Sequence, residues 1–316
     1  MAKPAAGPDK LVRLAYIARR HFLEGRTRIE IAEELNLSRI KVGRLLDDAI
    51  ASGIVTFTIA APDSLDVERS LAMQKKYHLK HSVVLHTPTD SPEHIQRELG
   101  RAAADLLSEI ATAEDVIGMT AGRTLSSMSQ QLHDLPRCEV VQLAGIAGPV
   151  QATGVEVIRR VSAVTHGHAW TIYAPIITSD AAAAEAIARQ HEVRETRRQF
   201  ARVTIALVAI GSWSPPDSQL YDNPALSAKE REAVLKAGVK AEIGALLIDR
   251  SGTVLDLLPG RSVAIGEDEL RRIPEVIGVA GGPKKTEAVA SALASGLISS
   301  LVTDSTLAAR LLEETA

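Results

Sequence analysis

Residues 27–52 read TRIEIAEELNLSRIKVGRLLDDAIAS, and this stretch has the pattern of a helix-turn-helix. Thr27, followed three residues later by Glu30, forms a capping box at the start of a first helix. A short turn then ends at Ser38, whose hydroxyl is placed to cap a second helix. Apolar residues recur at helical spacing in both segments, which predicts two short helices that pack against each other.

The second predicted helix has one apolar face and one basic face. Its apolar residues fall within a single arc at about 100° per residue: Val42, Leu45, Leu46 and Ala49. A helix that offers basic side chains near its N-terminal end suits the major groove of duplex DNA. The residues predicted to contact DNA are Thr27, Arg28, Ser38, Arg39, Ile40, Lys41 and Arg44. An amphipathic helical hairpin in some other kind of domain is the alternative.

The flanking residues complete a small domain. A helix predicted from Asp9 to Glu24 precedes the pair, and residues 54–59 (IVTFTI) read as a strand, the wing of a winged helix. Residues 60–63 then form a linker. We therefore expect residues 1–60 to be a DNA-binding domain and residues 61–316 to be a larger domain for effector binding and oligomerisation.

Charge divides the chain at the same place. Residues 1–60 hold 10 Lys and Arg against 7 Asp and Glu, a net charge of +3, whereas the remainder holds 26 against 32, a net charge of −6. The two sum to the net charge of −3 of the whole chain. Binding to DNA phosphates needs local positive charge, so a basic N-terminal domain on a near-neutral chain suits a gene regulator.

Composition argues against several other classes of protein. The single cysteine, Cys138, excludes a disulfide framework and a cysteine-based zinc site, and we expect no metal and no cofactor. No apolar run approaches the roughly 20 residues of a membrane span, and no stretch resembles a signal peptide, so we expect a cytoplasmic protein with no membrane partner. Aromatic residues make up 3% of the chain, which argues against base stacking and hence against a reader of RNA or single strands.

Residues 61–316 alternate short apolar runs with helical patterns. The apolar runs read as buried strands, and the predicted strands include 170–174, 203–210, 243–249, 262–265 and 276–280. One long helix is predicted over 181–198. This alternation predicts a parallel sheet covered by helices on both faces, an open α/β fold of the Rossmann-like type. Ligands of such folds bind past the carboxyl ends of the strands.

Two junctions between a strand and a helix carry candidate ligand contacts. The first spans residues 118–124 (GMTAGRT) and the second spans residues 281–285 (GGPKK). Arg123 and Lys285 are cations at the positive ends of helix dipoles, a position that is unfavourable unless an anion lies there. The junctions together predict a small anionic ligand, most simply a phosphate ester. The alternative is that these glycine-rich turns are only structural.

Three motifs resemble the SorC family of sugar-responsive bacterial transcriptional regulators, and the resemblance covers nearly the whole chain. They are LNLSRIKVGRLLDDAIASGIVTFTI in the helix-turn-helix, GMTAGRTL at the first junction, and VGVAGGPKKTEAVASALASGLISSLVTDSTLAARLL near the C-terminus. The resemblance implies a sugar-binding domain related in fold to ribose-5-phosphate isomerase and glucosamine-phosphate deaminase, usually in a homotetramer. It implies a cytoplasmic DNA-binding repressor or activator of carbohydrate genes.

The resemblance also assigns effector contacts. It assigns Gly122, Arg123, Thr124, Glu242 and Lys285 to the effector, and the loop 118–124 adds Gly118 and Thr120 as expected contacts. Glu242 stands where the family often has Asp, and Ala121 stands where it commonly has Trp, so the effector can be a sugar, a polyol or a phosphate ester of either. Gly43 replaces a common Ser within the second helix and should cost up to about 1 kcal/mol relative to Ala.

Two further residues sit close to these motifs. Asp304 follows the last predicted strand and reads as the N-cap of the final helix, and the alternative is a contact to the effector. Trp213 reads as part of a loop after the strand 203–210, and this loop either borders the ligand site or lies apart from it. We expect a transcriptional regulator with no catalytic residues, and the alternative is a sugar-phosphate isomerase or deaminase, which would need an acid and a base in the same site.

Overall fold

The computed structural model describes residues 7–57, 64–89, 91–147 and 154–313. The chain forms two compact units, Met1–Ala61 and Pro62–Ala316. The smaller unit is helical in its described residues, and the larger is a mixed α/β structure.

Three α-helices make up the described part of the N-terminal unit. They are α1 (Pro8–Ala18), which a π-helical segment extends over Arg19–Leu23, α2 (Arg28–Glu34) and α3 (Arg39–Ala51). The predicted capping box is present, since Thr27 and Glu30 exchange hydrogen bonds at the start of α2. Ser38 accepts a hydrogen bond of 3.1 Å from the backbone N–H of Lys41 and so caps α3. The predicted pair of helices is confirmed.

The predicted wing strand at 54–59 is wrong for residues 54–57, and residues 58–59 lie outside the described residues. Gly53, with φ of +76°, turns the chain out of α3, and the Val55 N–H donates to the carbonyl of Ala49. Ile54 and Val55 pack against the core formed by α1 and α3. Their apolar character therefore reflects the closure of a helix end rather than a strand.

The larger unit contains further helices and an 11-stranded sheet among its described residues. Its helices are α4 (Val67–Tyr77), α5 (Pro92–Ile110), α6 (Arg123–Gln131), α7 (Gly154–Thr165), α8 (Ala181–Ala188), α9 (His191–Gln199), α10 (Ala228–Lys236), α11 (Glu267–Arg271), α12 (Thr286–Ala294) and α13 (Ser305–Glu313). Its strands are β1 (Ser82–Leu85), β2 (Val116–Met119), β3 (Glu139–Gln142), β4 (Ala169–Trp170), β5 (Ile205–Trp213), β6 (Pro216–Asp217), β7 (Val239–Ile243), β8 (Leu246–Asp249), β9 (Val254–Leu255), β10 (Glu275–Val279) and β11 (Ser300–Asp304).

The main part of the sheet is parallel, in the order β1-β11-β10-β5-β2-β3-β4. Apolar side chains alternate between its two faces, as Ala206 and Val208 of β5 join one core cluster and Ile205 and Leu207 join the other. Both faces are thus buried, which confirms the predicted open α/β fold. The carboxyl ends of β2, β5 and β10 meet at one edge of this sheet.

Strand β5 continues beyond its parallel neighbours and pairs antiparallel with β6 and β7. The predicted strand at 243–249 is confirmed over Leu246–Asp249, which form β8, but it is not one continuous strand, because Gly244, with φ of +62°, turns the chain between β7 and β8. A residue with no Cβ adopts this left-handed conformation at little cost. The antiparallel hairpin carries Glu242 back toward the parallel strands.

Three other predicted elements differ from the structure. Residues 262–265 form only isolated bridges, to Ala144 and Ile177, while their apolar side chains fill the core. The strand predicted at 170–174 ends at Trp170, because the N–H of Ile172 bonds to the side chain of Gln142 instead of a neighbouring strand. The helix predicted over 181–198 is broken into α8 and α9 at an extended Gln190, with ψ of 141°.

Candidate functional site

Basic side chains line one exposed surface of α2 and α3. Its cations are exposed and form no salt bridge with any residue that the structure describes: Arg28, Arg39, Lys41 and Arg44. Ile40 lies among them and is 70% exposed. Uncompensated cations with an apolar neighbour suit contacts to phosphates, base edges and a thymine methyl group.

Other basic residues of the same unit form salt bridges within that unit. Arg20 forms a salt bridge of 2.7 Å with Glu34, and Arg26 forms one of 3.1 Å with Glu30. The positive charge of the α2–α3 surface is therefore a property of particular residues and not of the whole unit. Thr27 and Ser38 use their hydroxyl oxygens as helix caps, so they fix where the first turns of α2 and α3 begin.

Arg28 lies beside the glycine of α3. A Cβ built on Gly43 would lie 3.8 Å from Nη1 of Arg28, which is an ordinary van der Waals contact. The guanidinium of Arg28 thus runs alongside α3, next to the face that carries Arg44. Both helices contribute to one basic surface.

A cavity of about 310 Å³ lies at the carboxyl ends of the parallel strands of the larger unit. It is lined by the loop after β2, the end of β5, the loop after β10, and side chains from α5, β6 and β7. Six of the predicted effector residues line it: Thr120, Gly122, Arg123, Thr124, Glu242 and Lys285. The structure thus brings together residues from three distant parts of the chain.

Gly118 lies elsewhere. It is inside β2, where a Cβ would come within 2.8 Å of Val203 and 2.9 Å of Leu143. Its place is in the packing of the sheet, one strand residue before Met119, and not in the wall of the cavity.

The loop after β2 is held close to β5. Oγ1 of Thr120 accepts a hydrogen bond of 3.0 Å from the backbone N–H of Ala209. A Cβ on Gly122 would lie 2.5 Å from the Cβ of Ala209, so a larger residue would push the loop away. This close approach puts Arg123 at the first residue of α6, with its side chain on the cavity.

Asp217 joins the two cations of the cavity. Arg123 donates a hydrogen bond to Oδ1 of Asp217, and Nζ of Lys285 lies 3.6 Å from Oδ2. Lys285 also donates a hydrogen bond of 2.7 Å to the carbonyl of Ile210. Burial acts to raise the pKa of Asp217, but the charges of Lys285 and Arg123 outweigh it and hold the pKa below its usual range. Asp217 is therefore ionised at neutral pH.

Sequence reasoning missed Asp217. It directly follows a proline pair, in a two-residue strand 94 residues from Arg123, and no local pattern marks it. The signal that could have found it is chemical: two cations at helix starts require an anion, and a carboxylate of the chain can supply that anion as well as a ligand can.

Glu242 lines the cavity and is 7% exposed. Nε1 of Trp213 donates a hydrogen bond of 2.7 Å to Oε2 of Glu242. A Cβ on Gly211 would lie 2.7 Å from Oε1 of Glu242, so the carboxylate occupies the space that this glycine leaves. Burial raises the pKa of Glu242 to about 7, against the opposing effects of Ser218, Trp213 and Lys285.

The other two predicted residues are placed as follows. Asp304 accepts a hydrogen bond of 2.9 Å from the N–H of Leu307, which confirms it as a helix cap, and one of 2.5 Å from the N–H of Gly282. It thereby holds the second cavity loop in position. Trp213 ends β5 rather than lying in a loop, and it acts on the cavity through Glu242.

Two other kinds of site, a membrane-spanning helix and a metal-binding cluster, are not found among the described residues. Among them, no helix is long and apolar enough to cross a membrane. Among the residues that the structure describes, no group of three or more His, Cys, Asp or Glu side chains is arranged to hold a metal ion.

Comparison with known proteins gives one matching family. The family model described as "Putative sugar-binding domain" matches residues 62–313. Proteins called transcriptional regulator LsrR are 28% identical in Enterobacter sp. (strain 638), covering 93% of this chain and 91% of the relative, and 27% identical in Escherichia coli (strain K12), covering 96% and 94%.

Solved structures share the fold. The full-length sorbitol operon regulator SorC from Klebsiella pneumoniae aligns with a TM-score of 0.73 at 22% identity, covering 96% of this chain and 100% of that chain. A transcriptional regulator from Streptococcus pneumoniae TIGR4 aligns with a TM-score of 0.71 at 23% identity, covering 78% and 96%. At such identities the likeness shows the fold alone, and this fold includes the helical N-terminal region and the mixed sheet.

Proposed function

The chain belongs to the SorC-type family of sugar-binding transcriptional regulators, and from this premise we propose that it binds operator DNA through α2 and α3 under the control of an effector held in the cavity. The observation that carries the proposal is the convergence of Arg123, Glu242 and Lys285 on one cavity at the carboxyl ends of parallel strands. Its relatives are transcriptional regulators and not enzymes.

The cavity suits a polyhydroxylated ligand. Carboxylates such as Glu242 accept hydrogen bonds from hydroxyl groups, and the N-terminus of α6 has no side-chain cap, so its backbone N–H groups are available to oxygen atoms of a ligand. We propose that the ligand is a sugar, a polyol or a phosphate ester of one. Thr120, Gly122, Thr124 and Lys285 supply the other contacts.

The basic surface of α2 and α3 suits duplex DNA. We propose that Arg39, Lys41 and Arg44 enter the major groove with Ile40, and that Arg28 contacts the phosphate backbone beside them. Thr27 and Ser38 position the helix starts. A regulator that binds an operator in this way acts in the cytoplasm.

A single α3 helix reads only a few base pairs, so we propose that the protein binds DNA as a dimer or tetramer on paired half-sites. Residues 1–60 then form the DNA-binding domain and residues 61–316 form the domain that binds the effector and joins the subunits. Analytical ultracentrifugation with and without operator DNA measures the assembly directly.

The function is tested in two steps. First, the duplex DNA upstream of the protein's own gene and a random duplex library are offered to the protein, and bound sequences are recovered. Second, sugars, polyols and their phosphate esters are screened for a rise in stability, which mass action sets at about 2.7 kcal/mol when the ligand is at 100 times its dissociation constant. A protein that selects no DNA sequence contradicts the proposal.

Variants of cavity residues should separate the response to the effector from operator binding. Arg123→Ala and Lys285→Ala should lose the response to the effector while they keep operator binding, because both residues lie in the unit that does not contain α3. Asp256→Asn, an exposed change outside the cavity, should keep both activities. If both cavity variants bind the effector as the wild type does, the effector site lies elsewhere.

A further inference from the structure

The cavity already contains the negative charge that its cations require. The carboxylate of Asp217 contacts Arg123 and lies 3.6 Å from Nζ of Lys285. These are the two residues that a ligand phosphate would need, and each lies at the start of a helix that follows a parallel strand. Asp217 therefore stands in the electrostatic position of a bound anion.

A phosphate ester in this cavity would compete with Asp217 for the same two cations. Two like charges that share the same pair of cations repel strongly in a partly buried site, and the cations cannot satisfy both with good geometry. Glu242 adds a second acidic group on the same cavity. The ester would have to detach Asp217 from Arg123 before it could bind.

Uncharged polar groups offer a different kind of contact. Gln96, Gln219 and Thr124 line the cavity, and their side chains make no hydrogen bond with any residue that the structure describes. Amides and hydroxyls bind ligand hydroxyl groups as both donors and acceptors. Asp217, in its place between the cations, can accept hydrogen bonds from such hydroxyls without being displaced.

We propose that Asp217 is a resident counter-anion that determines the class of effector, so that the cavity takes an uncharged polyhydroxylated ligand in preference to its phosphate ester. This inference rests on the proposed effector function of the cavity and names its ligand class. It makes Asp217 a specificity-determining residue.

The test uses inorganic phosphate and two matched pairs of ligands, sorbitol with sorbitol 6-phosphate and ribose with ribose 5-phosphate. Isothermal titration calorimetry on the full chain gives the dissociation constants for the wild type, Asp217→Asn, Asp217→Glu and the control Asp256→Asn. The control removes the same charge from an exposed position outside the cavity.

We expect the wild type to bind at least one parent alcohol or sugar more tightly than its ester. Asp217→Asn should bind inorganic phosphate and the esters at least about tenfold more tightly, because the competing charge is gone while the shape is kept. Its affinity for the uncharged ligand should change by less than about threefold. Asp217→Glu should keep the weak phosphate binding, and Asp256→Asn should behave as the wild type.

Other outcomes distinguish a failure of the role of Asp217 from a failure of the effector function of the cavity. If the ligands bind but Asp217→Asn leaves phosphate affinity within about twofold of the wild type, the counter-anion role of Asp217 is wrong while the effector cavity stands. If Asp217→Asn does not fold, the wild type and Asp217→Glu decide the question. A wild type that binds the ester more tightly than the uncharged ligand overturns the inference. A wild type and an Asp217→Glu variant that both bind the uncharged ligand more tightly support it. If no sugar, polyol or ester of a wide panel binds any variant, the proposed effector function itself fails.

Discussion

Trp213 and Glu242 form a buried pair in which the indole Nε1 donates a hydrogen bond of 2.7 Å to the carboxylate. The bond joins the end of β5 to β7, two antiparallel strands that extend the parallel sheet. It fixes the direction in which the carboxylate faces the cavity. It also stabilises the charged form of Glu242, though by less than burial destabilises it.

Glu242 should make stability depend on pH. Its pKa is about 7 in the folded state and 4.5 in its unperturbed form, so between these values the folded protein holds a proton that the unfolded chain has released. The contribution of this group is fully present below about pH 4.5 and is lost as pH rises through about 7, with a magnitude up to about 3 kcal/mol. Denaturant titrations at about pH 5 and about pH 8 measure the loss.

Glu242→Gln should remove that part of the pH dependence, because an amide keeps the shape and accepts the bond from Trp213 without titrating. Lys285 is a charged neighbour of Glu242, and burial lowers the pKa of Lys285. Glu109→Gln, on the exposed side of α5, serves as the matched control and should follow the wild type. Parallel pH profiles for wild type and Glu242→Gln would mean that Glu242 does not titrate in this range.

Arg44 should be a base contact rather than a general attraction. Arg44→Ala should weaken operator binding by about 1–3 kcal/mol if the guanidinium reads a guanine, and it should relax selectivity at one position of each half-site. Fluorescence anisotropy with operator and with single-base variants checks both effects. Arg13→Ala removes the same charge from α1, outside the α2–α3 surface, and should change affinity much less. Full operator affinity in Arg44→Ala, with an unchanged salt dependence, would take Arg44 out of the interface.

Gly43→Ala should stabilise the N-terminal unit by up to about 1 kcal/mol, because alanine is the better helix former and a Cβ there meets Arg28 at an ordinary 3.8 Å. Both tryptophans lie in the larger unit, so their fluorescence does not follow this change. Hydrogen exchange of the α3 backbone amides does follow the change, and the protection of these amides against exchange should rise. If protection rises while operator affinity falls, the gap at Gly43 serves DNA binding, since the added methyl group would then obstruct the duplex or Arg28.

Local rules explain which features the sequence could predict. The caps at Thr27, Ser38 and Asp304 depend on residues three positions away, and the buried strands depend on runs of Val and Ile, so both are visible along the chain. The turn at Gly244 interrupts the apolar run 243–249 without changing its character, so that run does not reveal where β7 ends and β8 begins. Asp217 meets Arg123 only because the sheet brings distant segments together, and such contacts leave no spacing to read.

Coupling between effector and operator is the last prediction. Because the cavity and α3 lie in different units, control requires that the effector bind with different affinity to the DNA-bound and the free protein. We expect the effector to alter how the subunits of an oligomer space their paired α3 helices, which would remove the contribution of one half-site without unfolding either unit. Thermodynamic linkage then demands that operator DNA change effector affinity by the same factor by which the effector changes operator affinity. Calorimetric titration of the effector, with and without saturating operator, measures one factor, and operator binding with and without the effector measures the other. Equal effector affinities in both titrations would show that the ligand does not regulate DNA binding, and the cavity would then need another role.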